Sequence, residues 1–120
     1  MQILGIGTDI IEIERIAEVC RRSPGFEQRV FTQGELDYAC PKAGKFSHLA
    51  ARFAAKEAVG KAFGMPFSWQ DVEIYTEPSG KPCVRLYGAA LEAAGDAKVM
   101  ISMSHSASYA TATAILVRDG

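Results

Sequence analysis

The stretch from Arg52 to Gly64, R-F-A-A-K-E-A-V-G-K-A-F-G, constrains this chain more than any other. Alanine and straight-chain residues dominate it, with only Val59 branched and Gly60 weak, which predicts a helix. At 100° per residue, Ala51, Ala55, Ala58, Val59 and Ala62 share one narrow arc of small side chains, suited to close packing on a sheet. Glu57 and Lys61 lie one turn apart in one row, and Arg52 and Lys56 in another. Two readings of Glu57 and Lys61 are open. They form an i,i+4 ion pair on a solvated face, worth a few tenths of a kcal/mol. Alternatively, they present a carboxylate and an ammonium together to a phosphate–metal centre.

The rest of the chain has to be one domain, because 120 residues hold one core and not two. Residues 1–120 are therefore taken as a single unit. A net charge of −1 speaks against general nucleic-acid binding by bulk electrostatics. Cys20, Cys40 and Cys83 are odd in number and lack C-x-x-C spacing, which fits reduced cytosolic thiols better than disulfides or zinc. No apolar run approaches about 18 residues and the start carries no basic leader, so the expectation is a cytoplasmic protein without a membrane span.

Gln2 to Ile13 is rich in branched residues and predicts a strand. Alternation puts Ile3, Gly5, Gly7, Asp9, Ile11 and Ile13 on one face. Asp9 is thus either a turn residue at a strand end or a carboxylate among isoleucines, where a purely structural role is expensive. Glu14 to Arg22 reads as a helix with Arg15, Val19 and Arg22 on one face and Arg21 beside them, either simply solvated or a docking surface for an acidic partner. Phe26 to Phe31 and Thr32 to Cys40 read as two further helical pieces, the second opened by a capping box of Thr32 and Glu35. Lys42 to Ser47 is expected to be a polar loop, and His48 a surface residue without a role. Asp71 to Thr76 and Pro82 to Tyr87 form a hairpin about E-P-S-G-K, and Ala89 to Ala94 a short helix. Lys98 to His105 and Tyr109 to Arg118 are the last two strands. The run S-M-S-H-S-A-S clusters hydroxyl and imidazole donors at their turn, a grouping able to hold a phosphate.

Two hard carboxylates, Asp9 and Glu57, without Cys/His spacing suggest Mg²⁺ rather than zinc. No Walker A loop and no G-x-G-x-x-G after a strand are present, so neither common nucleotide site applies. The residue types point to transfer at a pyrophosphate, with Lys61 adding to the charge clamp.

G-I-G-T-D-I, F-T-Q-G-E-L-D-Y, R-F-A-A-K-E-A-V-G-K-A-F-G, P-S-G-K-P and S-M-S-H-S-A-S-Y-A-T-A follow in one order over nearly the whole chain. In this the sequence resembles the holo-[acyl-carrier-protein] synthases, the short bacterial group of 4′-phosphopantetheinyl transferases. The resemblance implies an α+β fold with an antiparallel sheet packed against a long central helix. It implies transfer of the phosphopantetheine arm of coenzyme A to a serine of apo acyl carrier protein, releasing adenosine 3′,5′-bisphosphate, in fatty acid biosynthesis. By the resemblance, Asp9 and Glu57 are the Mg²⁺ ligands and Lys61 contacts the reacting phosphate or the attacking hydroxyl. Ser104 and His105 hold the adenosine end of coenzyme A, with Arg52 and the Gly80-Lys81-Pro82 turn lining that cleft. Arg15, Val19 and Arg22 dock the carrier protein. The general base is left open between Glu57 and a metal-bound water. A homotrimer with active sites at the subunit interfaces is also implied. Two rival expectations use the same residues: a Mg²⁺-dependent pyrophosphohydrolase acting on a nucleotide, and a coenzyme A or nucleotide-binding module in which both carboxylates are structural.

Overall fold

A computed structural model describes all residues, Met1–Gly120. The chain runs β1 (Gln2–Glu12), α1 (Ile13–Arg22), α2 (Phe26–Val30), α3 (Gln33–Ala39) and α4 (Lys45–Phe63). A 3-10 turn at Trp69–Asp71 leads to β2 (Val72–Thr76), β3 (Pro82–Leu86), α5 (Gly88–Ala94), β4 (Lys98–His105) and β5 (Tyr109–Arg118). The strands form an antiparallel three-stranded sheet in the order β1-β5-β4 and a separate β2-β3 hairpin. This is the expected α+β arrangement around one long helix.

Where β1 and the middle of β5 cross α4, the sheet meets the helix through glycines and alanines, with Ile11, Ile101, Met103 and Leu116 packed around them. Ala55, Ala58 and Ala62 of α4 are buried, as are Ala112 and Ala114 on β5. On β1 the matching positions are Gly5 and Gly7. A Cβ built on Gly5 would lie 1.9 Å from the Ala62 carbonyl oxygen, and one on Gly7 would lie 2.1 Å from that of Ala58. Both glycines are therefore required by close approach of backbone to backbone. The helix ends at Gly64, whose φ of 75° lets its N–H reach back to the carbonyls of Gly60 and Lys61.

One core joins α4 to Val72, Ile74 and Leu116, and a second joins its first half to Ile13, Ile16, Phe31 and Leu36. Thr32 caps α3 as expected, its side chain accepting from the Glu35 N–H while Glu35 accepts from the Thr32 N–H.

Three expectations are corrected. The polar loop ends earlier than proposed, because Lys45, Phe46 and Ser47 already belong to α4. Ile3 does not share the inner face of β1: the register shifts between Ile3 and Gly5, and Ile3 is 67% exposed. His48 is not a free surface residue; its ring packs edge-on against Tyr38 and faces His105. No helix is long and apolar enough to cross a membrane.

Candidate active site

Asp9 reaches the inner face of β1 two residues beyond Gly7, where the helix lies closest. The i,i+4 pair of Glu57 with Lys61 does not form. Lys61 instead crosses to β1, donating to the Thr8 carbonyl at 2.9 Å and approaching Asp9 Oδ1 at 3.4 Å. Glu57 stands half-buried beside them. Burial pushes its carboxyl above the usual range and the neighbouring Asp9 charge pushes it further, with Lys61 opposing. Two carboxylates are thus held close enough to repel, with one exposed ammonium between helix and strand.

Asp9 and Glu57 line a cavity of about 370 Å³ together with Ile10, Arg15, Val19 and Phe53. The predicted docking face and the predicted metal ligands therefore meet in one depression. Arg22 lies outside it and pairs with Glu18, while Arg21 pairs with Glu14. Glu57 also borders a shallower cleft lined by Gly60, Lys61, Gly64 and Pro66.

The other predicted ligand group assembles elsewhere. Arg52, Ser104, His105, Gly80 and Pro82 line a cavity of about 170 Å³ with Tyr38, His48 and Thr76. Arg52 is only 2% exposed and makes no ion pair. Its guanidinium donates to Thr76 Oγ1 at 2.8 Å and lies 4.2 Å from the Tyr38 ring centre, while its Nε has no partner. Burial lowers its proton affinity first, with Tyr38 and Glu35 opposing. No carboxylate lines this cavity, so its lining is cationic and holds one buried donor, Arg52 Nε, without a partner. Burial, then Arg52, Lys42 and His105, hold the His48 imidazolium below its ordinary range. Lys81 does not join this group. It lies in the cleft between the hairpin, α5 and β4 with Cys83, Arg85 and Lys98.

The two cavities share no residue. Arg52 and Glu57 are five positions apart on α4, which is about 140° around the helix axis. One chain thus presents the carboxylates on one side of α4 and the Arg52–His105 pocket on the other.

The family model of the 4′-phosphopantetheinyl transferase superfamily matches residues 5–114. The chain belongs to that superfamily. Among its 4′-phosphopantetheinyl transferase relatives, the holo-[acyl-carrier-protein] synthase of Protochlamydia amoebophila is 47% identical over 117 residues, 93% of this chain and 96% of that protein. That of Clostridium novyi is 43% identical over 123 residues, covering 98% and 89%. Solved transferases agree in fold. Plasmodium yoelii acyl carrier protein synthase with ADP bound superposes with a TM-score of 0.88 at 31% identity, over 99% of this chain and 98% of that one. The Bacillus anthracis holo-(acyl-carrier-protein) synthase in complex with CoA (3′,5′-ADP) gives 0.82 at 33%, over 97% of each.

Three residues escaped the sequence. Tyr38 and His48 line the Arg52–His105 pocket, and Lys56 is buried against Glu35. Lys56 was visible only as the neighbour of Arg52 in a helical row, and no local pattern separates a buried row from a solvated one. Burial and then Glu27 push the Cys20 thiol up to about 11, which favours the thiol over the reactive thiolate.

Proposed function

We propose that the chain transfers the 4′-phosphopantetheine arm of coenzyme A to a serine of apo acyl carrier protein, releasing adenosine 3′,5′-bisphosphate, for fatty acid biosynthesis. The observation that carries this reading is the shared cavity of Asp9, Glu57, Arg15 and Val19. A carrier protein seated on α1 brings its serine to the carboxylate pair, and the chain needs no nucleophile of its own.

Asp9 and Glu57 would hold Mg²⁺. Their donor chemistry fits: both are hard oxygen ligands, burial and then the neighbouring Asp9 charge raise Glu57, and no cluster of three metal-ligating side chains competes. Mg²⁺ takes one or two carboxylates and completes its shell with phosphates and water. When bound, it neutralises pyrophosphate charge and orients the phosphoryl group for in-line displacement.

The chain's own residues do the remainder. Lys61, at the Asp9 end of the cleft, adds positive charge where the pyrophosphate develops negative charge. The serine oxygen forms a bond to phosphorus as the bond to the bisphosphate oxygen breaks. The serine proton must leave as this bond forms, and Glu57, half-buried in the cavity with Asp9, is the carboxylate that would take it, directly or through a water. Arg52, Ser104 and His105 bind the 3′-phosphate end of the adenosine, with Gly80 and Pro82 as the wall.

This division of labour goes with a homotrimer whose sites lie at its interfaces, and two features of the chain support that assembly. The pocket of about 170 Å³ takes a phosphate but falls short of the ~300 Å³ at which small-molecule sites begin. Ile6, Ile10 and Met100 are 66%, 65% and 53% exposed on the outer face of the sheet, an apolar area suited to a neighbouring copy. Ile10 belongs both to that face and to the Asp9 cavity, so a neighbour covering the face borders the carboxylates.

Incubation with apo carrier protein, coenzyme A and Mg²⁺ tests the reading by intact mass and nucleotide chromatography. The expected result is a mass gain on the carrier with matching bisphosphate release. Cleavage of coenzyme A without carrier would replace it with the hydrolase, and neither product with the binding module.

A further inference from the structure

The helix that carries Glu57 lies on β1 through Gly5, Gly7 and alanines, a contact with almost no ridges or grooves. Smooth contacts of this kind allow close approach but fix rotation and sliding poorly, since interlocking side chains normally set helix phase. On the opposite side of α4 stands a group that does fix it. Lys56 Nζ donates to the carbonyls of Val30 at 2.9 Å and Trp69 at 2.7 Å, and to Glu35 Oε1 at 2.8 Å. Its three protons are all used, on three elements. Glu35 is equally engaged: Oε1 also accepts from the Thr32 N–H and Oε2 from the Ile74 N–H at 2.7 Å. Both side chains are at most 1% exposed.

We infer that Lys56 is a positioning residue: with Glu35 it sets the rotation of α4 and thereby the distance of Glu57 from Asp9. This rests on the assignment of those carboxylates to the reaction. A buried ion pair is a weak source of net stability compared with apolar residues of similar volume, but it is directional. Glu57 follows Lys56 directly, and side chains extend about 6 Å from a helix axis, so a rotation of roughly 10° moves the carboxylate about 1 Å. A displacement of that size costs ~100-fold in rate when reacting groups must align. Trp69, whose carbonyl Lys56 holds, stacks on Phe53 at 5.1 Å between ring centres, and Phe53 lines the Asp9 cavity. The clamp therefore reaches the cavity wall by a second path.

The test compares Lys56→Met, Lys56→Arg and Glu35→Gln with Leu116→Ala, a core truncation remote from the clamp that controls for lost stability. Turnover, the Michaelis constants for coenzyme A and carrier, and Mn²⁺ affinity by electron paramagnetic resonance are measured well below each melting temperature. Lys56→Met is expected to lose about 100-fold in kcat and to weaken Mn²⁺, with the carrier Michaelis constant unchanged. Lys56→Arg recovers part of the turnover. Should Lys56→Met not fold, Glu35→Gln, which keeps the two carbonyl acceptors of Lys56, carries the test with a loss of roughly ten-fold. Lys56 and Glu35 variants matching Leu116→Ala in kcat and Mn²⁺ affinity would overturn the inference. A wild-type chain that transfers nothing, while its Lys56 variants still weaken Mn²⁺, would sink the proposed reaction and leave the positioning role standing.

Discussion

Adding one methyl group at Gly7 tests whether the bare contact between β1 and α4 is a requirement. The Cβ of Gly7→Ala would meet the Ala58 carbonyl oxygen at 2.1 Å, and Ala62 N and Lys61 Cβ at 2.8 Å each. Carbon and oxygen normally rest at about 3.3–3.6 Å, so the helix must retreat by about 1 Å. The nearest atom is backbone, and no side-chain rotation relieves it. Gly7 is not among the positive-φ glycines, so alanine is allowed by its own backbone. Overpacking of this kind costs about 1–3 kcal/mol, and a backbone obstacle belongs at the upper end. Replacing glycine in a strand returns about 0.5–1 kcal/mol of chain entropy. The net loss is about 2 kcal/mol, or about 8 °C in melting temperature for a domain of this size. Turnover should fall further than stability, by ~100-fold, because a retreating helix carries Glu57 away from Asp9. Calorimetry and steady-state kinetics at one fixed protein concentration read both quantities. A variant within about 2 °C of wild type and within two-fold in kcat would refute the reasoning.

Three further outcomes follow from the same geometry. Arg52→Ala should weaken binding of adenosine 3′,5′-bisphosphate by at least ~30-fold in calorimetry, since it removes a buried cation whose Nε has no partner within the chain. Arg15→Glu should raise the Michaelis constant for carrier protein about ten-fold and leave that for coenzyme A unchanged, and wild type should lose carrier affinity with rising salt while the variant does not. His48, held neutral by burial and by Arg52, takes up its proton later in the folded chain than in the unfolded one. Stability should therefore decline as pH falls below about 6.5, through the window down to the lowered folded value, and His48→Gln should flatten that decline in denaturant titrations.

What the sequence disclosed and what it hid have physical causes. The Arg52–Phe63 stretch showed its alanine arc because small residues at helical spacing have one plausible use. Gly5 and Gly7 marked the facing strand for the same reason. Asp9 stood out because a carboxylate among isoleucines is costly. The Lys45 start of α4 was missed because Lys45-Phe46-Ser47 carries no capping side chain, and the cap position, Gly44, makes no side-chain bond. Of the two readings open for Lys61, the ion pair on its own helix does not form, and Thr8 and Asp9 on β1 hold it instead. Local spacing cannot report a contact made across some fifty residues. The same limit hid Lys56 and Glu35: each had an ordinary local role available, as a solvated lysine and as a capping-box glutamate, and only the fold brings them together. His48 joined the pocket through α3 and β4, neither of which its neighbours in sequence reveal.

In the proposed assembly, each site joins the carboxylate side of one chain to the Arg52–His105 pocket of its neighbour. Mixing Asp9→Ala with His105→Ala tests it directly, once each variant alone is shown to be strongly impaired. The two are unfolded together, refolded at equal amounts, and assayed for transfer to carrier protein. In a cyclic head-to-tail assembly a site is intact only when Asp9 and His105 come from different parents, so about a quarter of wild-type activity should return. Mixed oligomers, verified by mass, that stay at the baseline of the separate variants would show that each site is built within one chain.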